Sequence, residues 1–224
     1  MKFALTCFYD DNYVPLGDLT WKENKKQYCA KHNYQHLGFK YNTHGDRTSH
    51  GFIHMQIINK IFNESKGSFD WLWKTGCDSM ITNMTVKLES IVEKYANEKT
   101  HLIVAKDMRG VNVDSFLLKN SDKSHKFVKD IYNLKEKYKN THWMEQQAII
   151  DYCKEHFVEE TVYVPQKTFN SYDYNFYHDL KPPYLDETGN IGQWEKGDFL
   201  FHWPGIGIND RIELYHKHKK DIVE

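Results

Sequence analysis

Trp71-Leu72-Trp73-Lys74-Thr75-Gly76-Cys77-Asp78-Ser79-Met80-Ile81 is the stretch whose reading decides the fold. It opens as a buried strand, with two tryptophans and a leucine suited to the inside of a sheet. It closes on Met80 and Ile81, apolar again, and between them stands one acid, Asp78, two residues after Gly76. A carboxylate where a strand leaves an apolar core either caps backbone amides or holds a ligand.

Outward from this stretch, strand-like and helix-like periods alternate. Phe3 to Tyr9 reads as a first strand ended by Asp10-Asp11-Asn12, and a helix follows through Trp21, Tyr28 and Cys29. Tyr34 to Tyr41 reads as a strand, residues 43–51 as a polar loop, and Phe52 to Phe62 as a helix with Met55, Ile58 and Phe62 on one face. The quoted strand is expected over Phe69 to Trp73. A helix is expected over Met84 to Tyr95, then strands at His101 to Ala105 and Ser115 to Leu118. Helices at Ser124 to Tyr138 and Trp143 to His156 precede strands at Val162 to Pro165 and Asp198 to Trp203, and a last helix begins after Asn209-Asp210. Tyr215 to Lys220, rich in His and Lys, reads as a solvated tail. This alternation predicts an α/β fold, a mixed, mostly parallel sheet with helices on both faces, over a single domain of residues 1–224.

Composition bounds the function. With 30 basic and 31 acidic residues there is no basic field to favour nucleic acid. Four scattered cysteines without a C-x-x-C pair speak against a thiolate zinc site and for a reducing compartment. No signal peptide or spanning segment is visible, so a soluble, cytoplasmic protein without a membrane span is expected. Aromatics reach 15%, a level that suits either a ring-rich core or the stacking of sugar faces.

Four polar constellations could carry chemistry. Asp78 and His202 offer oxygen and imidazole ligands for a divalent cation, although a turn cap and a hydrogen-bonded core histidine are the simpler readings of each. Asp107, Arg109, Asn112 and Asp114 crowd a polar turn that could read sugar hydroxyls or a phosphate, or simply be a hydrated hairpin. Glu145 and Gln146 open a helix, where an acid also favours the helix dipole. Gln166 to Tyr172 is polar after Pro165, as an ordinary loop also is.

Taken in order, these segments resemble glycosyltransferase family 34, retaining galactosyl-, mannosyl- and xylosyltransferases of the GT-A fold. The resemblance runs from about Asn24 to Gly205. It rests on Asn24-Lys25 with Tyr28-Cys29 and His32-Asn33-Tyr34, on Phe69 to Trp73 with Asp78 to Ile81, and on Asn112 to Asn120. Glu145-Gln146, Pro165-Gln166 with Phe169 to Tyr172, and Gly197-Asp198-Phe199 with His202 and Gly205 complete it. It implies a nucleotide-sugar donor, UDP-sugar favoured, a glycan acceptor, and Mn2+ (or Mg2+) held by Asp78 and His202. Thr6, Cys7, Phe8 and Tyr9 would line the nucleotide together with Gly76. Asn112, Asp114, Glu145 and Gln146 would line the donor sugar, and Lys196 or Arg47 would face the phosphates.

Two departures stand out. Gly76 occupies the place of the first acid of the family's Asp-x-Asp, and Asp114 the place of a glycine. Asp10 or Asp11 is the expected substitute for the lost acid, and Gly76→Asp is expected to tighten metal binding. Two further readings stay open, the first of them favoured by Gly76. One is a non-catalytic sugar-nucleotide or glycan-binding protein on the same scaffold, the other a metal-dependent phosphohydrolase.

Overall fold

The computed structural model of the chain describes residues 1–41, 50–65, 67–177 and 179–224. Eight strands are assigned among them: β1 (Phe3–Tyr9), β2 (Gln35–Lys40), β3 (Trp71–Lys74), β4 (Ser79–Ile81), β5 (Leu102–Asp107), β6 (Gly110–Lys119), β7 (Thr161–Pro165) and β8 (Leu200–His202). Six form one sheet in the order β2-β1-β3-β6-β5-β7. β1 runs parallel to β2 and β3, and β5 parallel to β7, while β6 is antiparallel to both β3 and β5. Five strands therefore point one way and β6 alone points back, the mixed, mostly parallel α/β sheet expected from the alternation.

The helices are α1 (Val14–Gly17), a π-helical stretch (Asp18–Lys25), α2 (Lys26–His32), α3 (His50–Glu64), α4 (Leu88–Tyr95), α5 (Asp122–Asn133), α6 (Lys135–Tyr138), α7 (Met144–His156) and α8 (Ile208–His218). They cover both faces of the sheet. Every residue of β1 and β3 is buried, so neither strand shows polar alternation. Period-two pleating still divides them: Phe3, Leu5, Trp71 and Trp73 join a core with Trp21, Tyr28, Ile91 and Leu214. Ala4, Phe8 and Leu72 join a second core with Phe52, Ile58, Phe127 and Ile149.

Several boundaries differ from expectation. The helix expected from Met84 begins at Leu88, because the Met84 amide donates to the Val223 carbonyl and the Val86 carbonyl accepts from the Tyr28 hydroxyl. Tyr215 to His218 is no solvated tail. It lies in α8, with Tyr215 and His218 buried and the His218 ring edge-on to Trp194 and Phe201. The quoted strand ends at Lys74, and Met80 and Ile81 belong to a separate strand, β4. Among the described residues no helix is long and apolar enough to cross a membrane.

The carboxyl ends of β1, β3, β5 and β7 converge on one edge of the sheet, where antiparallel β6 begins. Ligands collect at this edge in sheets of this kind.

Candidate active site

Asp78 owes its position to a ladder of three residue pairs. β4 and β8 pair antiparallel with Ser79 opposite His202, Met80 opposite Phe201 and Ile81 opposite Leu200. The Trp203 amide donates to the Asp78 carbonyl at 2.9 Å. Two residues 124 positions apart are thereby set side by side.

The π-helical stretch braces this turn from below. Its i→i+5 winding turns Thr20, Asn24 and Lys25 toward one side. The Thr20 hydroxyl donates to the Cys77 carbonyl at 2.6 Å and the Lys25 ammonium to the Ser79 carbonyl at 2.5 Å. Asn24 grips Ile81 twice, donating to its carbonyl at 3.0 Å and accepting from its amide at 2.8 Å. All three side chains are buried, and burial pushes the Lys25 ammonium down from its ordinary value. Asn24-Lys25, part of the resemblance, thus holds up the strand that follows Asp78.

Asp114 arrives from β6. Val104 pairs with Phe116 but Ala105 pairs with Asn112, so residues 113–115 bulge out of the ladder. The bulge is pinned by the Trp73 indole donating to Ser115 Oγ at 2.8 Å. Buried Lys74 donates to the Val113 and Asp114 carbonyls and to Asp114 Oδ1 at 3.2, 2.8 and 3.3 Å. Asp114 Oδ2 accepts from the Gly76 amide at 3.1 Å.

His202 Nε2 lies 3.4 Å from Asp78 Oδ1 and 3.5 Å from Asp114 Oδ2, and one ligand atom from each of the three residues falls within 4.8 Å of the others. On the far side of the ring, Nδ1 donates to Asn170 Oδ1 at 3.1 Å, which fixes the ring with Nε2 toward the acids. Arg211 Nη2 lies 3.1 Å from Asp78 Oδ2, and Arg211 Nε donates to the Trp203 carbonyl. Burial pushes the Asp78 carboxyl up, but His202 and Arg211 outweigh it and hold it below the usual carboxylate range. Burial alone would lower His202. Asp78 and Asp114 outweigh it and hold the imidazole above its ordinary value. Two carboxylate oxygens and an imidazole nitrogen suit Mn2+, and the oxygens alone also suit Mg2+.

Two cavities adjoin this group: Asp78 and Asp114 line one, and Tyr172, edge-on to the His202 ring, lines the other. The smaller, about 300 Å³, is lined by Phe8, Tyr9, Tyr13, Tyr41, Lys74, Gly76, Asp78, Asp114, Glu145 and Arg211 among others. The larger, about 360 Å³, is lined by Asp107, Asn112, Trp143, Gln146, Tyr172, Tyr174 and Tyr177 among others. In the larger one the Tyr172 hydroxyl and Asn112 Nδ2 both donate to Asp107 Oδ2, at 2.7 and 3.2 Å, forming a closed polar set. Glu145 and Gln146, consecutive on α7, line different cavities, as do Asn112 and Asp114 on β6. Burial raises the Glu145 carboxyl.

The structure thus brings together Asp78, Asp114 and His202, with Gly76, Phe8, Tyr9, Glu145, Asn112 and Gln146 in the flanking cavities. Thr6 and Cys7 are fully buried and line neither cavity, and burial pushes the Cys7 thiol up to about 12. Lys196 lies 3.9 Å from Asp221 and also lines neither. Arg47 lies outside the described residues. Asp11 pairs with Lys40, and Asp10 caps the turn at Asn12. The cations that line the smaller cavity are Lys74 and Arg211, which sequence reasoning missed. One signal was available: only three of the 30 basic residues are arginines, and Arg109 and Arg211 each line a cavity.

Comparisons with known proteins bear on the family and the fold. The model of the galactosyl transferase GMA12/MNN10 family matches residues 12–97 and 91–211. The probable alpha-1,6-mannosyltransferase MNN10 of Saccharomyces cerevisiae is 26% identical over 185 residues, covering 67% of this chain and 46% of the relative. The chain therefore spans about half the length of that curated relative. A glycosyltransferase involved in glycosylation of the major capsid of PBCV-1 superposes with a TM-score of 0.73 at 13% identity, over 97% of this chain and 100% of the other. Galactosyltransferase LgtC, solved with donor and acceptor sugar analogs, gives 0.58 at 13% identity, over 96% and 95%. At such identities these two likenesses speak for the GT-A fold.

Proposed function

Since the chain belongs to the galactosyl transferase GMA12/MNN10 family, we propose that residues 1–224 act as one catalytic unit. That unit moves a sugar from a nucleotide-diphosphate donor, a UDP-sugar first of all, to a hydroxyl of a glycan acceptor with retention of configuration. The observation that carries the reading is the convergence of Asp78, Asp114 and His202, with both acids lining the smaller cavity and Tyr172 of the larger one edge-on to the His202 ring. Asp78 and His202 are the residues that would hold Mn2+ or Mg2+. The ion would supply positive charge to a departing diphosphate.

The chain's own groups divide the remaining work. Tyr9, Tyr13 and Tyr41 offer rings to a base in the smaller cavity. Arg211 and Lys74 face the same cavity with positive charge suited to phosphate oxygens. Asn112, Asp107, Tyr172 and Gln146 offer donors and acceptors to sugar hydroxyls in the larger cavity. Tyr174, Tyr177 and Trp143 give it apolar faces.

A second reading, a non-catalytic binding module, is favoured by one fact: each acid already has a fixed cation, Lys74 on Asp114 and Arg211 on Asp78. Calorimetry with a panel of nucleotide-sugars, in Mn2+ and then in chelator, tests the first reading. Chelator-sensitive binding of one donor supports it. Binding without transfer to any glycan favours the module, and donor hydrolysis without acceptor favours a phosphohydrolase. A protein that binds no donor sinks the transferase reading. The anomeric configuration of the product, read by NMR, tests retention.

A further inference from the structure

Gly76 and Asp114 compete for one volume. A Cβ added at Gly76 would lie 2.2 and 2.5 Å from the carboxylate oxygens of Asp114 and 2.5 Å from Asp78 Oδ1. Real Cβ atoms do not approach oxygens so closely, so a side chain at 76 and the Asp114 carboxylate exclude each other. We propose that Asp114 is itself a ligand of the cation and supplies, from β6, the carboxylate that the β3–β4 turn lacks at position 76. The proposal rests on the metal-dependent reading above.

Three features carry it. The first is aim: the bulge at residues 113–115 turns Asp114 out of the β5–β6 ladder, and Lys74 fixes its main chain and Oδ1. Oδ2 is left beside the Gly76 amide and His202.

The second is convergence. Asp78 Oδ1 and Asp114 Oδ2 approach the same imidazole nitrogen at 3.4 and 3.5 Å. One nitrogen has a single proton or a single lone pair and cannot serve two carboxylates well. A divalent cation among the three atoms serves all of them.

The third is exchange. The acid missing at 76 and the acid gained at 114 are one charge in one place, delivered by different strands. The change is therefore a relocation, and the carboxylate count at the site stays at two. Of the substitutes expected from sequence, Asp11 is paired with Lys40, and Asp10 lines the smaller cavity with its Oδ1 accepting from the Asn12 amide; neither is among the three residues whose ligand atoms converge.

The expectation for Gly76→Asp is thereby reversed. Alone, it drives a third carboxylate into filled space and weakens cation binding. Combined with Asp114→Gly, it hands the ligand back to the turn. Mn2+ uptake is measured by electron paramagnetic resonance in the presence of UDP or GDP, with thermal unfolding run alongside. The proteins are wild type, D114N, G76D and the double variant G76D/D114G.

D114N, nearly isosteric and so kept folded, is expected to weaken Mn2+ binding by about 100-fold, since even outer partners of metal ligands contribute about 10–100-fold. G76D is expected to weaken it as well, and the double variant to recover to within about tenfold of wild type. Wild-type-like Mn2+ binding by D114N overturns the proposal, and so does a folded double variant that binds no better than D114N. Wild-type protein that takes up no Mn2+ with either nucleotide overturns the metal-dependent reading itself, a different outcome from either of these.

Discussion

Truncating Asn24 to alanine measures how far the site depends on the π-helical stretch beneath it. Asn24 is 1% exposed and makes two hydrogen bonds to Ile81, at 3.0 and 2.8 Å. The ladder to β8 is carried next door by the Thr82 amide and the Phe199 carbonyl, so Ile81's own amide and carbonyl face Asn24. Alanine would leave both groups buried without these partners. Each such loss costs about 1–3 kcal/mol, so the pair costs about 2–6 kcal/mol, with about 3 expected if one water enters. Against a typical stability of about 5–15 kcal/mol that is a large fraction. At about 2–4 °C per kcal/mol for a chain of this size, the melting point falls by about 6–12 °C. Urea titration followed by tryptophan fluorescence gives the figure, with an unchanged m-value as the check that both proteins unfold from comparable states. Asn24→Asp keeps the acceptor for the Ile81 amide but turns a donor into an acceptor opposite the Ile81 carbonyl, so it should fare no better. A loss under about 1 kcal/mol for Asn24→Ala would refute the claim that Asn24 supports β4.

Further outcomes follow from the same geometry. His202→Ala should abolish Mn2+-dependent donor binding, and Asn170→Ala, which frees the far side of the same ring, should weaken it by about 10–100-fold; calorimetry separates the two. Glu145→Gln should stabilise the fold as pH rises. Burial raises this carboxyl above its ordinary 4.5, so the stability tied to its protonated form is complete below 4.5 and is lost as pH climbs through the raised folded value. Melting points of variant and wild type should coincide near pH 4 and separate in the variant's favour by pH 8, and equal melting at pH 8 would contradict this. All four cysteines are free and buried, with Cys7 and Cys29 pushed up to about 12 and Cys153 to about 11 by burial. Native protein should show no rapid reaction with a thiol reagent and four equivalents after denaturation.

Much of the sheet was legible because its apolar runs are continuous. β1 and β7, and the helix face of Met55, Ile58 and Phe62, declare themselves through pattern alone, while β2 shows only the alternation of Leu37 and Phe39. The β4–β8 ladder was hidden. It joins two three-residue strands over 100 positions apart, and nothing in either one names its partner. Asp78 and His202 were named from residue type and favoured by the resemblance, but their adjacency depends on that ladder. The place of Asp114 depends on a bulge, and a bulge is set by the register between strands, which periodicity cannot report. Arg211 was missed because its guanidinium reaches the site only when α8 packs beside Tyr13. Lys196 sits near the family-like Gly197-Asp198-Phe199, yet chain proximity did not bring its ammonium to either cavity.

Glu145 and Gln146 turn the first residues of α7 into a shared wall between two rooms. One peptide unit joins a side chain facing the smaller cavity to one facing the larger. Any rearrangement of that wall reaches both rooms at once, so a new preference on one side cannot be drafted there without disturbing the other. The freer drafting surface is the segment carrying Tyr174, Tyr177 and Asp179, which borders the larger cavity alone. A substitution in that segment changes the lining of one room, while one at the helix start stands where the two rooms meet.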